Sequence, residues 1–310
     1  MIKYALKRVL LFILLIPGII FIVFFIMDFT PGDPSRLILG ERATLEQRRL
    51  FRENAGLDRS FPVRYASYVY NVVFKLDFGT SYRTRTPVID EILDKLPKTV
   101  ILALSGAFFS SLLGISIGIL SAVKQYSRID AVSTFAAIFF ASIPNFWLGM
   151  TMLLIFSLHF GILPSTGANT WKHYVLPTAA ITFPFSAEIL RLTRSLMLET
   201  VRQDYVTTAR AKGVTEQIII MKHALRNAML PIITSLGMTF GSLLGGAIIT
   251  ETVFSIPGLG THIINAIRMK DTPIVLASTI VLAIFFSLIM LAIDVSYAFI
   301  DPRIRARYLK

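Results

Sequence analysis

The chain has 310 residues, of which 54% are hydrophobic and only 16% charged. A soluble domain carries about 25% charged residues, so this one cannot cover itself with a polar surface, and it is too apolar to be disordered. Lys and Arg number 31 against 19 Asp and Glu, a formal charge of +12. On a soluble protein that excess would point to nucleic acid. On an apolar chain it points to cations held on one side of a membrane, and no nucleic-acid partner is expected. There is no cysteine, which excludes a disulfide framework, a thiolate nucleophile and a Cys-ligated metal.

A helix needs about 20 apolar residues to cross a hydrocarbon core. In chain order, the first stretch without Asp, Glu, Lys or Arg is Val9 to Met27. It follows Lys3, Lys7 and Arg8, as a signal peptide would, but it outruns a signal core and no small-x-small cleavage site follows it. A retained transmembrane helix within 1–30 is predicted. Residues 31–98 form a long polar loop region, where Leu and Phe alternate with Arg36, Arg42, Arg48, Arg49, Arg52, Arg59 and Arg64 in the pattern of small amphipathic helices. Uncharged runs from Thr99 to Val123, Ala131 to Leu158, Asn227 to Thr250 and Thr272 to Ile293 predict further spans at about 99–123, 131–158, 228–251 and 273–299. A weaker one, at 174–194, holds Pro177, Pro184 and Glu188. The expected fold class is therefore all-α and integral to the membrane, with six transmembrane helices, a loop at 195–227 and a basic tail at 300–310.

Orientation follows from Lys and Arg in short loops. With the N-terminus in the cytoplasm, 16 basic residues fall on the cytoplasmic face and 3 in the short loops opposite. The other 12 lie in the 31–98 region, which exceeds the roughly 60 residues over which the rule operates. Both termini are expected in the cytoplasm.

Motifs for chemistry are scarce. Gly114-Ile-Ser-Ile-Gly118 matches a nucleophile elbow, but that pattern needs a strand–turn–helix context and a partnering His. Small residues recur at every fourth position in two spans, Gly106, Ser110, Gly114 and Gly118 in one and Gly237, Gly241 and Gly245 in another. Such a stripe lets a second backbone approach closely, either for packing within the subunit or for a helix that slides during a transport cycle. His159, His173, His223 and His262 are too scattered for a metal site. Glu188 and Asp294 are the acids within spans. Both lie near helix ends and are read as interfacial ion pairs, Glu188 with Arg191 three residues on. No Gly-x-x-x-x-Gly-Lys-Ser/Thr loop occurs, so no cofactor is assigned to this chain, and any ATP hydrolysis belongs to another.

The 195–227 loop is the informative segment. Asp204 is placed as a helix N-cap, Tyr205 to Lys212 as a short helix, and Gly213 as its stop. Thr215 then caps a second helix from Glu216, carrying Ile218, Ile219, Ile220 and Met221. Two helices with a glycine elbow make a compact projection, which either packs on the protein's own helix ends or docks a soluble partner.

This loop resembles the cytoplasmic signature of ABC importer permeases, Glu-Ala-Ala, three residues, then Gly. Thr207, Thr208, Ala209 and Gly213 stand at the corresponding positions, so the Glu and the first Ala are absent. Arg226 replaces the first proline of the continuation, and Pro231 matches the second. The remainder is similar to the peptide/nickel group (oligopeptide, dipeptide and glutathione types), B-type membrane subunit. The similarity runs through Pro31-Gly-Asp-Pro34, Gly56-Leu-Asp58, Asp77-Phe-Gly-Thr-Ser81, Ile143-Pro-Asn-Phe-Trp-Leu-Gly149, Asp204-Tyr205, Thr208-Ala-Arg-Ala-Lys-Gly213, His223-Ala-Leu-Arg-Asn-Ala228, Pro257-Gly-Leu-Gly260 and Asp301-Pro302.

The resemblance implies a type I ABC importer permease architecture, with the transmembrane domain at 95–294, in a bacterial or archaeal cytoplasmic membrane. It implies half of a translocation pathway for peptides or similar small solutes, completed by a homologous second permease and embedded in lipid. An extracytoplasmic substrate-binding protein would deliver cargo, and two ABC ATPase subunits would hold ATP and Mg. Asp204, Tyr205, Thr207, Thr208, Ala209, Ala211, Lys212, Gly213 and Val214 would form the ATPase-coupling surface. Asn145, Phe146 and Trp147 beside Pro144 are the expected pathway residues. The cargo stays open among dipeptide, oligopeptide, glutathione, nickel complex and oligosaccharide. Rival readings are an ATP-independent channel or secondary transporter and, against the missing Cys and paired acids, an intramembrane enzyme.

Overall fold

The computed structural model describes residues 2–300, with side chains over 15–296 except Gly246. The basic tail with Asp301 and Pro302, and the side chains of Lys3, Lys7 and Arg8, lie outside the described residues. The described elements are helical: α1 (Ile2–Phe29), α2 (Pro34–Leu39), α3 (Leu45–Asn54), α4 (Phe61–Lys75), α5 (Val88–Val123), α6 (Arg128–Ser142), α7 (Asn145–His159, π-helical over Leu153–His159), α8 (Lys172–Val201), α9 (Asp204–Ala211), α10 (Glu216–Val253), α11 (Leu259–Met269) and α12 (Thr272–Ile300). An isolated bridge pairs Thr80 with Pro87.

Among the described residues, α5, α8, α10 and the Thr272–Ser296 part of α12 are each long and apolar enough to cross a membrane. Leu15–Phe29 of α1 is a shorter apolar stretch. The weakest span of the sequence reading, at 174–194, lies inside a continuous 30-residue helix that keeps both Pro177 and Pro184. The expected single span at 131–158 is instead broken: α6 and α7 meet at 99°. Proline disfavours helical backbone in the residue before it. Ile143 is accordingly extended (φ −92, ψ 126), and Pro144 caps the next helix.

The chain divides into two compact units, residues 98–256 with 289 onward, and residues 2–97 with 257–288. In the 98–256 unit α8 packs against α6, α7 and α10, around a core that includes Leu102, Ile181, Leu243, Ala247 and Phe254. The small-residue stripe of α5 faces α8. A Cβ on Gly114 would lie 2.6 Å from that of Ile189, and one on Gly118 would lie 2.7 Å from that of Thr193. The Gly114–Gly118 pattern is thus a packing surface inside a helix, with Ser116 exposed on the other side. The second stripe behaves differently. Gly237 meets Met290 and Ile293, while Gly245 has nothing within 4 Å.

In the 2–97 unit α4 lies along α1. Ile20, Phe24, Val72, Leu276 and Ile280 form the core, Phe61 and Tyr65 meet Phe21 edge-on, and the Tyr65 hydroxyl donates to the Pro17 carbonyl at 3.1 Å. A second core joins Val88 and Ile92 to Leu259, Ile263 and Ile274. Asp271 clasps the 79–87 turn: its buried carboxylate accepts from Ser81 Oγ (2.6 Å), Tyr82 N (3.0 Å) and Arg83 N (3.2 Å). The neighbouring Lys270 is buried and left-handed (φ +54). Burial pushes its amine below the ordinary lysine range, against the pull of Asp28 and Asp33, and Nζ donates to the Thr30 carbonyl.

Candidate functional site

Gln203, rather than Asp204, is the N-cap of α9, with extended backbone (φ −72, ψ 149). Asp204 opens the first turn, where its carboxylate complements the positive end of the helix. The side chains of α9 sort by period: Val206 and Ala209 turn inward onto Ile219, with Val214 packed against them. Tyr205, Thr207, Thr208, Ala211 and Lys212 stay exposed. The helix ends in a Schellman closure: Val214 N donates to Ala209 O (3.2 Å) and Gly213 N to Arg210 O (2.9 Å). That closure requires a left-handed residue at its turn, and Gly213 supplies φ +78. A Cβ there would meet nothing within 4 Å, so the demand for glycine is conformational rather than steric.

Across the elbow, Arg210 grips Glu216 bidentately, Nη2 to Oε1 at 2.6 Å and Nε to Oε2 at 3.1 Å. Both side chains are exposed, so the pair adds under about 1 kcal/mol, but its fork fixes the angle between the helices. Asn227 Nδ2 donates to the Tyr205 hydroxyl (3.0 Å) and to the His223 carbonyl (2.7 Å). The second arm is no separate loop helix. It is the start of α10, which passes through a π-helical turn at Ile219–Ala224 and continues unbroken to Val253. Ala122, Met197, Ala224, Ala228 and Ile232 bind this start to the ends of α5 and α8.

Beside this knob lies a charge network that spacing along the sequence does not reveal. Asp130, 5% exposed, takes Arg194 Nε at 2.6 Å and Nη2 at 2.8 Å. It also accepts from Ser121 Oγ and Tyr126 N. The two ions lie 64 residues apart, beyond any helical periodicity. Glu251 was also missed as a buried ion. It is fully buried and accepts from the Thr99 hydroxyl. The signal for it exists, because no breaker stops the helix before Pro257. Conversely, Glu188 is exposed, and no ion pair with Arg191 forms among the described residues, since long solvated side chains gain little by closing one. Asp294 is buried.

Asn145, Phe146 and Trp147 sit in the first turn of α7, immediately after the break; Asn145 is half-buried and the two rings are exposed. The site residues therefore fall into two groups, a compact knob and a separate break. Among the described residues no group of three or more His, Asp or Glu could hold a metal ion.

Two family descriptions match this chain. The binding-protein-dependent transport system inner membrane component covers residues 114–306, and the corresponding N-terminal membrane component covers 1–103. The glutathione transport system permease protein GsiC of Salmonella choleraesuis (strain SC-B67) is 40% identical over 98% of this chain and 99% of its own length. Its Escherichia coli (strain K12) counterpart is 38% identical over the same shares. A chain of the MetNI methionine ABC transporter, in inward-facing conformations, superposes with a TM-score of 0.56 at 20% identity, covering 69% of this chain and 98% of that one. A chain of an amino acid ABC transporter with histidines superposes with a TM-score of 0.53 at 18% identity, covering 66% and 92%. These superpositions establish a shared fold.

Proposed function

Because this chain belongs to the family of binding-protein-dependent transport system inner membrane components, we propose that its 204–223 knob is the surface through which a partner ATPase drives transport. Membership makes it a multi-pass membrane permease of an ATP-driven importer and not an enzyme, since ATP hydrolysis lies with partner subunits. Beyond that, the reading is of a chain with six spans and both termini in the cytoplasm of a bacterial cell. It forms half of a pathway whose other half is a homologous permease. Two ATPases bind below, and an extracytoplasmic binding protein delivers peptide-like cargo. The glutathione transport named for its relatives makes glutathione-sized peptides the first cargo to test. Asn145, Phe146 and Trp147 would line the pathway, because a break in a span exposes backbone that is tolerated only beside a cavity or protein.

The observation that carries this reading is the construction of the knob. Its inward face is fully used by Val206, Ala209 and Ile219, so its exposed face is available to a partner, and its second arm is the membrane-length helix α10. A push on the exposed face therefore reaches the membrane without a flexible joint. The test is Gly213→Trp in the reconstituted complex: ATP hydrolysis is expected to continue while cargo uptake is lost. Normal uptake with normal substrate-stimulated hydrolysis would sink the assignment.

A further inference from the structure

The 31–98 segment carries arginines whose roles differ. Arg36 pairs with Glu41 (2.8 Å) and Arg64 with Asp28 (2.6 Å). Arg52 lies between Asp33 and Asp58. Arg48 Nη2 donates to the Gly40 and Glu41 carbonyls (3.3 and 3.0 Å), tying the turn between α2 and α3. A capping box starts α3, with Gln47 N donating to Thr44 Oγ1 and Thr44 N to Gln47 Oε1. Arg42 and Arg85, like Arg49, Arg59 and Arg83, have no carboxylate pair among the described residues; what sets these two apart is their place. Both border a groove of about 530 Å³ whose lining includes Leu39, Gln47, Leu50 and Phe51. Phe51 is buried as its floor, and Leu50 is 52% exposed.

Arg85 is held at that groove by unusual means. Its backbone is left-handed (φ +62), which costs a non-glycine residue roughly 1–2 kcal/mol. Its guanidinium lies 5.1 Å above the Phe51 ring. The turn that carries it is closed by the Thr80–Pro87 bridge and clasped by Asp271. Strained backbone persists only where its surroundings enforce it, and such residues gather at functional sites. Here the strain sets a cation without a carboxylate partner at the edge of an apolar groove.

We propose that this groove docks an acidic, leucine-bearing segment of the extracytoplasmic binding protein, with aliphatic side chains against the exposed Leu39 and Leu50 and carboxylates on Arg42 and Arg85. The inference rests on the topology proposed above, which puts residues 31–98 outside the cell. Charge complementarity selects the occupant: the groove presents two cations and no acid.

The test uses the complete complex in nanodiscs and titrates its own binding protein against ATPase activity. Rim charges act mainly on association rate and salt dependence. Arg42→Glu combined with Arg85→Asn should therefore raise the binding-protein concentration for half-maximal stimulation roughly tenfold and flatten its salt dependence. Asn tolerates left-handed backbone, so the second substitution removes charge without unravelling the turn, and the maximal rate should be retained. This chain has no cysteine, so Leu50→Cys accepts a photo-crosslinker as its sole label and should capture the binding protein. An unchanged half-maximal concentration, or crosslinks solely to lipid or to the second permease, overturns the inference alone. A wild-type complex that its binding protein does not stimulate overturns both the inference and the importer reading beneath it.

Discussion

The knob at 204–227 and the seam between α5 and α8 are held by opposite means. In the knob, the Schellman closure and the Arg210–Glu216 pair link residues no more than six apart, and most side chains are exposed. In the seam, Gly114 and Gly118 meet residues of α8 about 75 positions away, and Ser121 of α5 and Arg194 of α8 both hold the buried Asp130 of α6. A local, exposed device can be displaced by a partner and re-form, because each contact is weak and its pieces never separate. A non-local, buried one resists displacement, because losing any part leaves a cavity, a clash or a stranded charge. Under the proposed coupling role, the element that receives force is built to be handled, and the α5–α8 seam to stay rigid.

That contrast can be broken most severely at the ion pair. Arg194→Ala leaves Asp130 charged and buried, and should lower stability by about 3–5 kcal/mol, read as an early melting transition of the purified chain. Asp130→Ala should cost less, since Arg194 retains some solvent access; equal losses would show that the burial of Asp130 is not the cause. Next in size, Gly114→Ala or Gly118→Ala should cost about 1–3 kcal/mol by overpacking. Gly245→Ala is the control from the other stripe. With open space around it, it should be neutral or stabilising by up to about 1 kcal/mol. Destabilisation by both would mean that the α5–α8 contact is not what sets the cost.

In the knob the thermodynamic effects shrink while the functional ones grow. Gly213→Val should cost only about 1–2 kcal/mol of local strain and leave the melting transition of the membrane helices nearly in place, yet lower uptake per ATP hydrolysed. Gly213→Asn should recover much of the coupling, since Asn also serves at this position. Smallest of all, Arg210→Gln or Glu216→Gln should each change stability by less than about 1 kcal/mol. The charge-reversed pair, Arg210→Glu with Glu216→Arg, should restore whatever coupling the single variants lose. Measuring uptake per ATP for the wild type, Arg210→Glu, Glu216→Arg and the exchanged pair tests this as a double-mutant cycle.

The same contrast explains what the sequence could reveal. The knob was legible because its determinants are local: a glycine after an amphipathic turn, and Thr215 before the next helix. The cap shifted from Asp204 to Gln203, at a boundary where one residue decides little, and the second arm is the start of α10 rather than a separate helix. The membrane helices were legible because lipid demands length and apolarity. The 99° break at Ile143–Pro144 could have been read from the proline, but uninterrupted hydrophobicity concealed it. Asp130–Arg194, Glu251–Thr99 and the Asp271 clasp were not legible. Each depends on chain segments brought together by folding, and a lone Asp in a loop looks the same whether it ends in water or against a guanidinium. The two glycine stripes make the point within one motif. Spacing made them equivalent, and neighbours made one a seam while leaving the other covered at Gly237 and open at Gly245.

Helix α10 runs for 38 residues, from Glu216 inside the knob to Val253. At about 1.5 Å per residue it is roughly 57 Å long. Tilting such a rod by about 5° around one end sweeps the other through about 5 Å, close to one helical turn. Under the proposed coupling role, the stroke at the far end is set by angle and length, and the motion a partner ATPase must impose at the knob need be no larger than a small rotation.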